Sequence, residues 1–302
     1  MLQSSRKRGN IGSFKDRVKH IEEVSRNIEA EIRRYLESAK GRLYITYSRL
    51  GILPANVLYW IISTISPSTD IRIMDAMSYS YFVAAYTEPS TILYFTTDPG
   101  SNITLSLLQA ASLTGNNVLL VTIKPRNEIL ADLLSPYEKI TVDLHDEIEA
   151  SLSMSIASFI AGVKTYKGLG RRHDRLEKHV DEGFSPIVEE LLEKYSDLIK
   201  KVIETRKIIV TSSKILEPSA LVISEALRRK GISSEYEPIE YVMGPGDVLV
   251  ISSTVEEHYI REKIFRLRMT NAKIYQLVFN TDPLETNIYA SIIGLYIAGI
   301  ER

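Results

Sequence analysis

The sequence has no cysteine, a single tryptophan and only three glutamines among its 302 residues. Without cysteine, the chain forms no disulfide bond, no thiolate nucleophile and no cysteine-ligated metal site. No apolar run reaches the ~20 residues that a membrane span needs, and the first residues lack the apolar core of a signal peptide. We therefore expect a soluble, cytoplasmic protein. Abundant Ile, Tyr, Glu, Lys and Arg beside so little glutamine is typical of thermophilic proteins.

A large charge of one sign is also missing, because 37 basic residues balance 38 acidic residues to a net charge of −1. This balance gives no reason to expect a nucleic acid or a membrane as a partner. Neither a Gly-x-Ser-x-Gly nor a Gly-x-Gly-x-x-Gly motif is present, which disfavours serine hydrolases and nucleotide-dependent dehydrogenases. We expect no metal and no cofactor, because five histidines lack metal-ligand spacing: His20, His145, His173, His179 and His258.

The length suits about two domains of ~150 residues each. Apolar residues recur every three or four positions over residues 14–39, which predicts an amphipathic helix that ends before Gly41. The next segments are apolar throughout and alternate with helical patterns, as buried parallel strands do in a doubly wound α/β sheet. Five such strands are predicted: Leu43–Tyr47, Ile71–Met74, Thr91–Thr96, Val118–Ile123 and Ile140–Leu144.

The second half repeats this order in a gapped form, which indicates two similar flavodoxin-like halves. Its predicted strands are Lys207–Thr211, Val248–Ser252 and Lys273–Phe279. Residues 167–175 are basic and contain glycine, and we interpret them as a loop between the halves. The sequence thus predicts an N-terminal helix (1–40), a first domain (41–166), a linker (167–185) and a second domain (186–302).

Polar loops at the carboxyl ends of the predicted strands are the places where open parallel sheets bind ligands. The richest loop follows Thr91–Thr96 and opens a helix, so its side chains and the free helix N–H groups favour an anion. It has no lysine of the Walker type, which favours a single phosphate over a triphosphate. An ordinary helix cap is the alternative interpretation. The candidate ligands in this loop are Thr97, Gly100, Ser101, Asn102 and Thr104.

Two further strand ends carry hydroxyl groups. Ser48 follows the first strand together with Arg49, which is equally well explained as a surface charge. Ser212 and Ser213 follow the corresponding strand of the second half. All three serines are candidate ligands for a phosphate or a sugar hydroxyl.

Strand, polar loop and helix occur twice, and Glu-Tyr-Val-Met-Gly-Pro follows at 240–245. This pattern resembles the sugar isomerase (SIS) domain family over roughly residues 40–300. Within that family it is similar to the double-SIS proteins, such as the isomerase half of glucosamine-6-phosphate synthase and archaeal phosphoglucose/phosphomannose isomerases. Their phosphate loop reads Ser-x-Ser-Gly-x-Thr. Here Gly100 is kept, Thr97 replaces the first Ser, Pro99 the second, and Asn102 the Thr.

The resemblance implies a homodimer that binds a phosphorylated sugar. In the synthases the motif reads Glu-x-x-His-Gly-Pro, and its Glu moves a proton between C1 and C2 of the sugar. Carried over, Glu240 is the base that gives an enediol, and Met243 stands where the family has its His. We therefore expect the acid to come from elsewhere, either from His258 or from a histidine of a partner chain. Two functions stay open, an aldose–ketose isomerase or a non-catalytic sugar-phosphate-binding or regulatory protein, and Glu240 is alternatively a solvated loop carboxylate.

Overall fold

A computed structural model describes residues 2–39, 41–87, 89–168 and 170–300, with backbone alone for residues 2–11. Contacts between residues divide the chain into two compact units. We call His20–Gly183 the N-terminal unit and the combination of Met1–Lys19 with Phe184–Arg302 the C-terminal unit. The domain boundaries drawn from the sequence stay a prediction.

The N-terminal unit is built on a parallel five-stranded sheet in the order β2-β1-β3-β4-β5. Every residue of β3 is buried, as expected for a central strand that is covered on both faces. This order is that of a flavodoxin-like sheet, and it confirms the predicted α/β class. The strands are β1 (Leu43–Ser48), β2 (Ile71–Asp75), β3 (Thr91–Thr96), β4 (Asn117–Ile123) and β5 (Glu138–Val142).

The C-terminal unit repeats the architecture with a parallel sheet in the order β7-β6-β8-β9. Its short edge strand β7 is absent from the sequence-based assignment, because its Ser-Ser-Glu-Tyr sequence carries no apolar pattern. The other three strands match the prediction within two residues at each end. The strands are β6 (Lys207–Ser212), β7 (Ser233–Tyr236), β8 (Gly246–Ser253) and β9 (Ala272–Phe279).

Helices flank both sheets. In the N-terminal unit they are α2 (Ile52–Ile65), α3 (Ala76–Phe82), α4 (Asn102–Leu113), α5 (Glu128–Leu133), α6 (Glu147–Thr165) and α7 (Arg171–Glu182). In the C-terminal unit they are α8 (Val188–Ile203), α9 (Glu217–Arg229), α10 (Glu257–Met269) and α11 (Pro283–Gly299). None of the helices in the described ranges combines the length and the apolar character of a membrane span.

The first helix, α1 (Leu2–Ser38), contributes residues to both units. In the C-terminal unit, the ring of Phe14 packs edge-on against Tyr296 with 5.3 Å between the ring centroids. In the N-terminal unit, the hydroxyl of Tyr35 lies 2.9 Å from the carbonyl oxygens of both Ile92 and Asn117. These contacts explain why the apolar positions of the predicted helix 14–39 face inward. Gly41 follows the helix at φ +72°, a left-handed conformation that suits glycine.

The interpretation of residues 167–175 as a loop is wrong from Arg171 onward, where α7 begins. The buried side chains of α7 are His173, Leu176 and Val180, at steps of three and four residues. That spacing gives the helix one inward face although most of its residues are charged. The apolar positions are so few that the basic composition conceals them in the sequence.

Candidate functional site

The carboxyl ends of β1 and β3 lie side by side, with Ser48 paired to Thr96 in the sheet register. The strand order reverses at this pair, and such a switch point is the usual ligand site of a doubly wound sheet. The loop after β1 lies very close to β3, because a Cβ atom on Gly51 would be 2.1 Å from the carbonyl oxygen of Phe95. Glycine is therefore required at residue 51.

A chain of hydroxyl groups connects the predicted ligands Ser48 and Thr104. The Oγ atom of Ser48 lies 2.7 Å from the Tyr94 hydroxyl and 2.8 Å from Thr96 Oγ1. The Tyr94 hydroxyl in turn lies 2.8 Å from Thr104 Oγ1. Tyr94, Thr96 and Thr104 are fully buried, and burial raises the pKa of the Tyr94 phenol. The network is internally satisfied, and no sequence pattern indicates that Tyr94 belongs to it.

Ser101 is the N-cap of α4, since its Oγ atom accepts a hydrogen bond from the backbone N–H of Thr104 at 3.2 Å. Thr104 Oγ1 donates to the carbonyl oxygen of Asp98 at 3.0 Å. These two side chains thus perform the cap role that was the alternative interpretation. Gly100 and Asn102 are exposed at the start of the helix. They leave the positive end of α4 open to an anion.

Two arginines meet one carboxylate at the same edge of the sheet. Arg49 Nη2 lies 3.8 Å from Glu147 Oε2, and Arg126 Nη2 lies 3.9 Å from Glu147 Oε1. Thr97 Oγ1 donates to Glu147 Oε2 at 3.4 Å. Both ion pairs exceed hydrogen-bond length, and the arginine side chains are 59% and 80% exposed. The guanidinium groups are therefore free to turn toward an incoming anion.

Sequence reasoning missed Arg126 and Glu147. The available signal was a basic Lys-Pro-Arg segment directly after β4, at the same edge as the other candidates. The sequence indicated Arg49 only as a possible ligand. Its backbone conformation is a second indication that this residue belongs to a functional site. Its φ of +54° is in the left-handed region. Non-glycine residues in such conformations carry strain of about 1–3 kcal/mol and cluster at functional sites.

The C-terminal unit has unsatisfied hydroxyl groups at the equivalent strand ends. The Oγ atom of Ser213 is buried without a hydrogen-bond partner among the described atoms, and the buried hydroxyl of Tyr236 has only the Ser212 side chain beside it. Ser212 donates to the carbonyl oxygen of Ser213 at 2.9 Å. Burial raises the pKa of Tyr236 to about 12, and the charges of Glu217 and Glu240 add to the effect. A buried unpaired hydroxyl costs about 1–3 kcal/mol, which a bound ligand or water would offset.

Glu240 is exposed on the loop that follows β7, and it accepts a hydrogen bond from the Tyr259 hydroxyl on α10. This hydrogen bond, with a smaller contribution from burial, raises the pKa of Tyr259 to about 12. His258 is exposed in the first turn of α10. Within the described residues its side chain makes no hydrogen bond or ion pair with Glu240, so the structure brings Glu240 to Tyr259 instead. Met243 is 79% exposed on the same loop.

The sequence matches no protein-family model and no curated protein. The structure is similar to the C-terminal domain of glucosamine-fructose-6-phosphate aminotransferase from Francisella tularensis, with a TM-score of 0.68 and 13% identity. That alignment covers 95% of this chain and 94% of the other. Tagatose-6-phosphate ketose/aldose isomerase from Escherichia coli aligns with a TM-score of 0.64 and 11% identity over 95% of this chain and 90% of its own.

Glucosamine-6-phosphate deaminase from Thermotoga maritima aligns with a TM-score of 0.60 and 14% identity. Here the alignment covers 94% of this chain and 92% of the deaminase. At identities this low, the likeness establishes the fold. The chain shares the fold of these structures, with two parallel α/β units as the resemblance in its sequence predicts.

Proposed function

We propose that this double-SIS protein binds a phosphorylated sugar or amino sugar and interconverts its aldose and ketose forms through an enediol. The observation that carries the proposal is the meeting of Arg49 and Arg126 at Glu147, whose carboxylate also accepts a hydrogen bond from Thr97 in the loop between β3 and α4. The three similar structures described above are all named for phosphorylated sugars.

The two arginines are suited to a phosphate because a guanidinium group donates two parallel hydrogen bonds to an oxyanion. Glu147 lies between them and keeps them at this edge while no anion is bound. When a phosphate binds, its oxygens replace the loose contacts of 3.8 and 3.9 Å with direct hydrogen bonds. The exposed N–H groups at Gly100 and Asn102 supply further donors.

Glu240 is proposed as the base that removes the proton from C2 of the open-chain sugar and returns it to C1. Such a base acts within hydrogen-bond reach of the proton, and it contributes a factor of about 10²–10⁴ in rate. Tyr259 holds the carboxylate through its hydroxyl. With a pKa of about 12, this tyrosine keeps its own proton at neutral pH. His258 remains the proposed acid for ring opening.

A non-catalytic sugar-phosphate-binding or regulatory role is the second candidate. Met243 stands where the family has its His, and a methionine has no group that could donate a proton to the sugar. In addition, the hydroxyls of Ser48 and Thr104 are tied to Tyr94 rather than presented to a phosphate. The missing acid at residue 243 favours a site that binds its ligand without turning it over, and the engaged hydroxyls leave the phosphate to the arginines.

Thermal shift and isomerisation assays with fructose 6-phosphate, glucose 6-phosphate and glucosamine 6-phosphate separate these functions. We expect the Glu240→Gln variant to keep the thermal shift and to lose at least 100-fold in turnover, the lower end of the usual contribution of about 10²–10⁴. The control is Glu262→Gln, which removes an equally exposed carboxylate from α10. It should leave both measurements unchanged.

Each outcome has one interpretation. Binding by the wild type without turnover would establish the non-catalytic function. No shift with any of the three sugar phosphates would exclude both functions. Normal turnover by Glu240→Gln would remove this residue from the mechanism.

A further inference from the structure

The C-terminal unit has a cavity of ≈ 750 Å³ at the amino-terminal edge of its sheet, where β6, β8 and β9 begin. This size is within the range of ~300–1,000 Å³ that is common for small-molecule sites. The cavity is at the opposite end of the strands from Ser212 and Ser213. An eight-residue strand such as β8 spans about 26 Å, so the cavity is remote from the carboxyl-edge loops of this unit.

Cations outnumber acidic groups in the lining of this cavity. Lys201 and Arg206 are exposed and form no ion pair among the described residues. Lys207 has only a weak pair, 3.8 Å from Glu235, and Lys273 Nζ lies 3.9 Å from Asp247 Oδ1. The acidic lining residues are Glu204 and Asp247. The cavity therefore has an excess of positive charge that the protein itself does not neutralise.

Two buried polar atoms in the lining of the cavity make no hydrogen bond of regular geometry. Among the described residues, Asp247 Oδ1 has only its 3.9 Å ion pair with Lys273, and the same lysine is the polar neighbour of the Tyr275 hydroxyl. Tyr275 is only 6% exposed, and Lys273 lies over its ring at 5.1 Å from the centroid. Buried polar groups are paired in about nine cases of ten. Because one lysine at long range is their only polar contact, these two groups have hydrogen-bonding capacity left for a polar ligand in the cavity.

The negative end of a helix is the ordinary reason for basic residues at this edge. Lys200 and Lys201 are both in the last turn of α8, where a cation is favourable. This reason does not extend to Arg206, which precedes β6, or to Lys207 and Lys273 within the strands. The helix end therefore does not explain why so many cations surround the cavity.

We propose that this cavity is a second binding site, which takes a small organic phosphate that also carries hydroxyl groups. Lys201, Arg206 and Lys207 bind the phosphate, with Arg206 donating in parallel to two of its oxygens. Asp247 and Glu204 accept hydrogen bonds from the hydroxyls. The two carboxylates would repel a bare anion, so the ligand needs both kinds of group. Nucleotides and sugar phosphates share this chemistry.

Calorimetric titration of the full chain with ADP, fructose 6-phosphate and pyrophosphate tests the site. We expect one of the two organic phosphates to bind, and the double variant Lys201→Ala/Arg206→Ala to weaken that binding at least tenfold. Lys200→Ala is the matched control, because it removes the neighbouring exposed lysine, which pairs with Asp197 at 3.2 Å and does not line the cavity. Its affinity should stay within twofold of the wild type.

Lysine acetylation followed by mass spectrometry locates the ligand directly. The bound phosphate should protect Lys201 and Lys207 from acetylation and leave Lys200 reactive. Equal losses of affinity in the double variant and in Lys200→Ala, or binding of pyrophosphate alone, would overturn the proposal. The double variant Arg49→Ala/Arg126→Ala distinguishes this site from the site of the proposed function. It should leave ligand binding in the cavity, and the protection of Lys201 and Lys207, unchanged.

Discussion

At the residue scale, the same residue types have different tasks in the two units. In the N-terminal unit the hydroxyls of Ser48, Tyr94 and Thr104 satisfy one another, and two arginines face solvent beside them. In the C-terminal unit the Oγ atom of Ser213 is buried without a hydrogen-bond partner among the described atoms. Hydroxyl groups that bond to one another stabilise the fold, whereas unpaired ones are available to a ligand. A serine at a strand end therefore does not by itself indicate which of these two roles it has.

The hydrogen bond between Tyr259 and Glu240 predicts a dependence of stability on pH. The pKa of Tyr259 is about 12 in the folded protein, with the bond to Glu240 as the main cause and Glu256 and Glu262 adding charge. An unfolded tyrosine has a pKa of about 10. The raised value means that the folded state holds the proton more tightly. The resulting stabilisation is complete below pH ~10 and is lost as the pH rises toward ~12.

Nuclear magnetic resonance of the tyrosine ring carbons measures this pKa, with Tyr259→Phe assigning the signal. We expect Glu240→Gln to return the pKa toward its ordinary value near 10, because the charge that opposes ionisation is gone. Glu262→Gln should produce a smaller change. A Tyr259 pKa that is the same in wild type and Glu240→Gln would contradict the hydrogen bond.

At the element scale, the two units use the same device to pack helices against each other. A Cβ atom on Gly162 of α6 would be 2.9 Å from Ile61 Cγ2 of α2, and one on Gly294 of α11 would be 3.1 Å from Val222 Cγ1 of α9. In each unit a glycine thus lets the helix after the last strand approach the helix after the first strand. The repeat extends from strand order to the details of helix contact.

This packing predicts opposite effects for one substitution at two helical glycines. Gly162→Ala should destabilise the protein by about 1–3 kcal/mol, because the methyl group overlaps Ile61 in a packed interior. Gly12→Ala in α1 meets no atom within 4 Å. There the higher helix propensity of alanine should stabilise by up to about 1 kcal/mol. Urea unfolding measures both changes, and a stable Gly162→Ala protein would show that the two helices have room to separate.

At the scale of the whole molecule, the resemblance to double-SIS proteins predicts a homodimer. The apolar helices α6 and α11, which could have offered a surface to a partner, are mostly buried within the single chain. The prediction therefore depends on the resemblance rather than on those helices. Light scattering behind a sizing column should give twice the chain mass of 34.2 kDa. A particle of single-chain mass at micromolar concentration would contradict the dimer.

Local patterns were sufficient for most of the strands and helices. β3 was predicted without error, because six consecutive apolar or β-branched residues bury equally well on both faces of a sheet. Prediction failed for β7 and for the start of α7. A short polar edge strand is stabilised by its pairing with β6, and a charged helix by three buried side chains. Both causes are tertiary contacts.

The sequence by itself determined the α/β class, the repeat and the strand ends at which candidate ligands lie, since each follows from the order of apolar and polar residues. Only the tertiary structure decided which of those candidates form hydrogen bonds or ion pairs within the protein. Arg49 and Arg126 contact the same carboxylate, that of Glu147, although the three residues are far apart in sequence. Tyr94 forms a hydrogen bond with Ser48 from a neighbouring strand. Side chains from different strands become neighbours only when the strands pair, and the pattern of residues along the chain does not contain the distances between them.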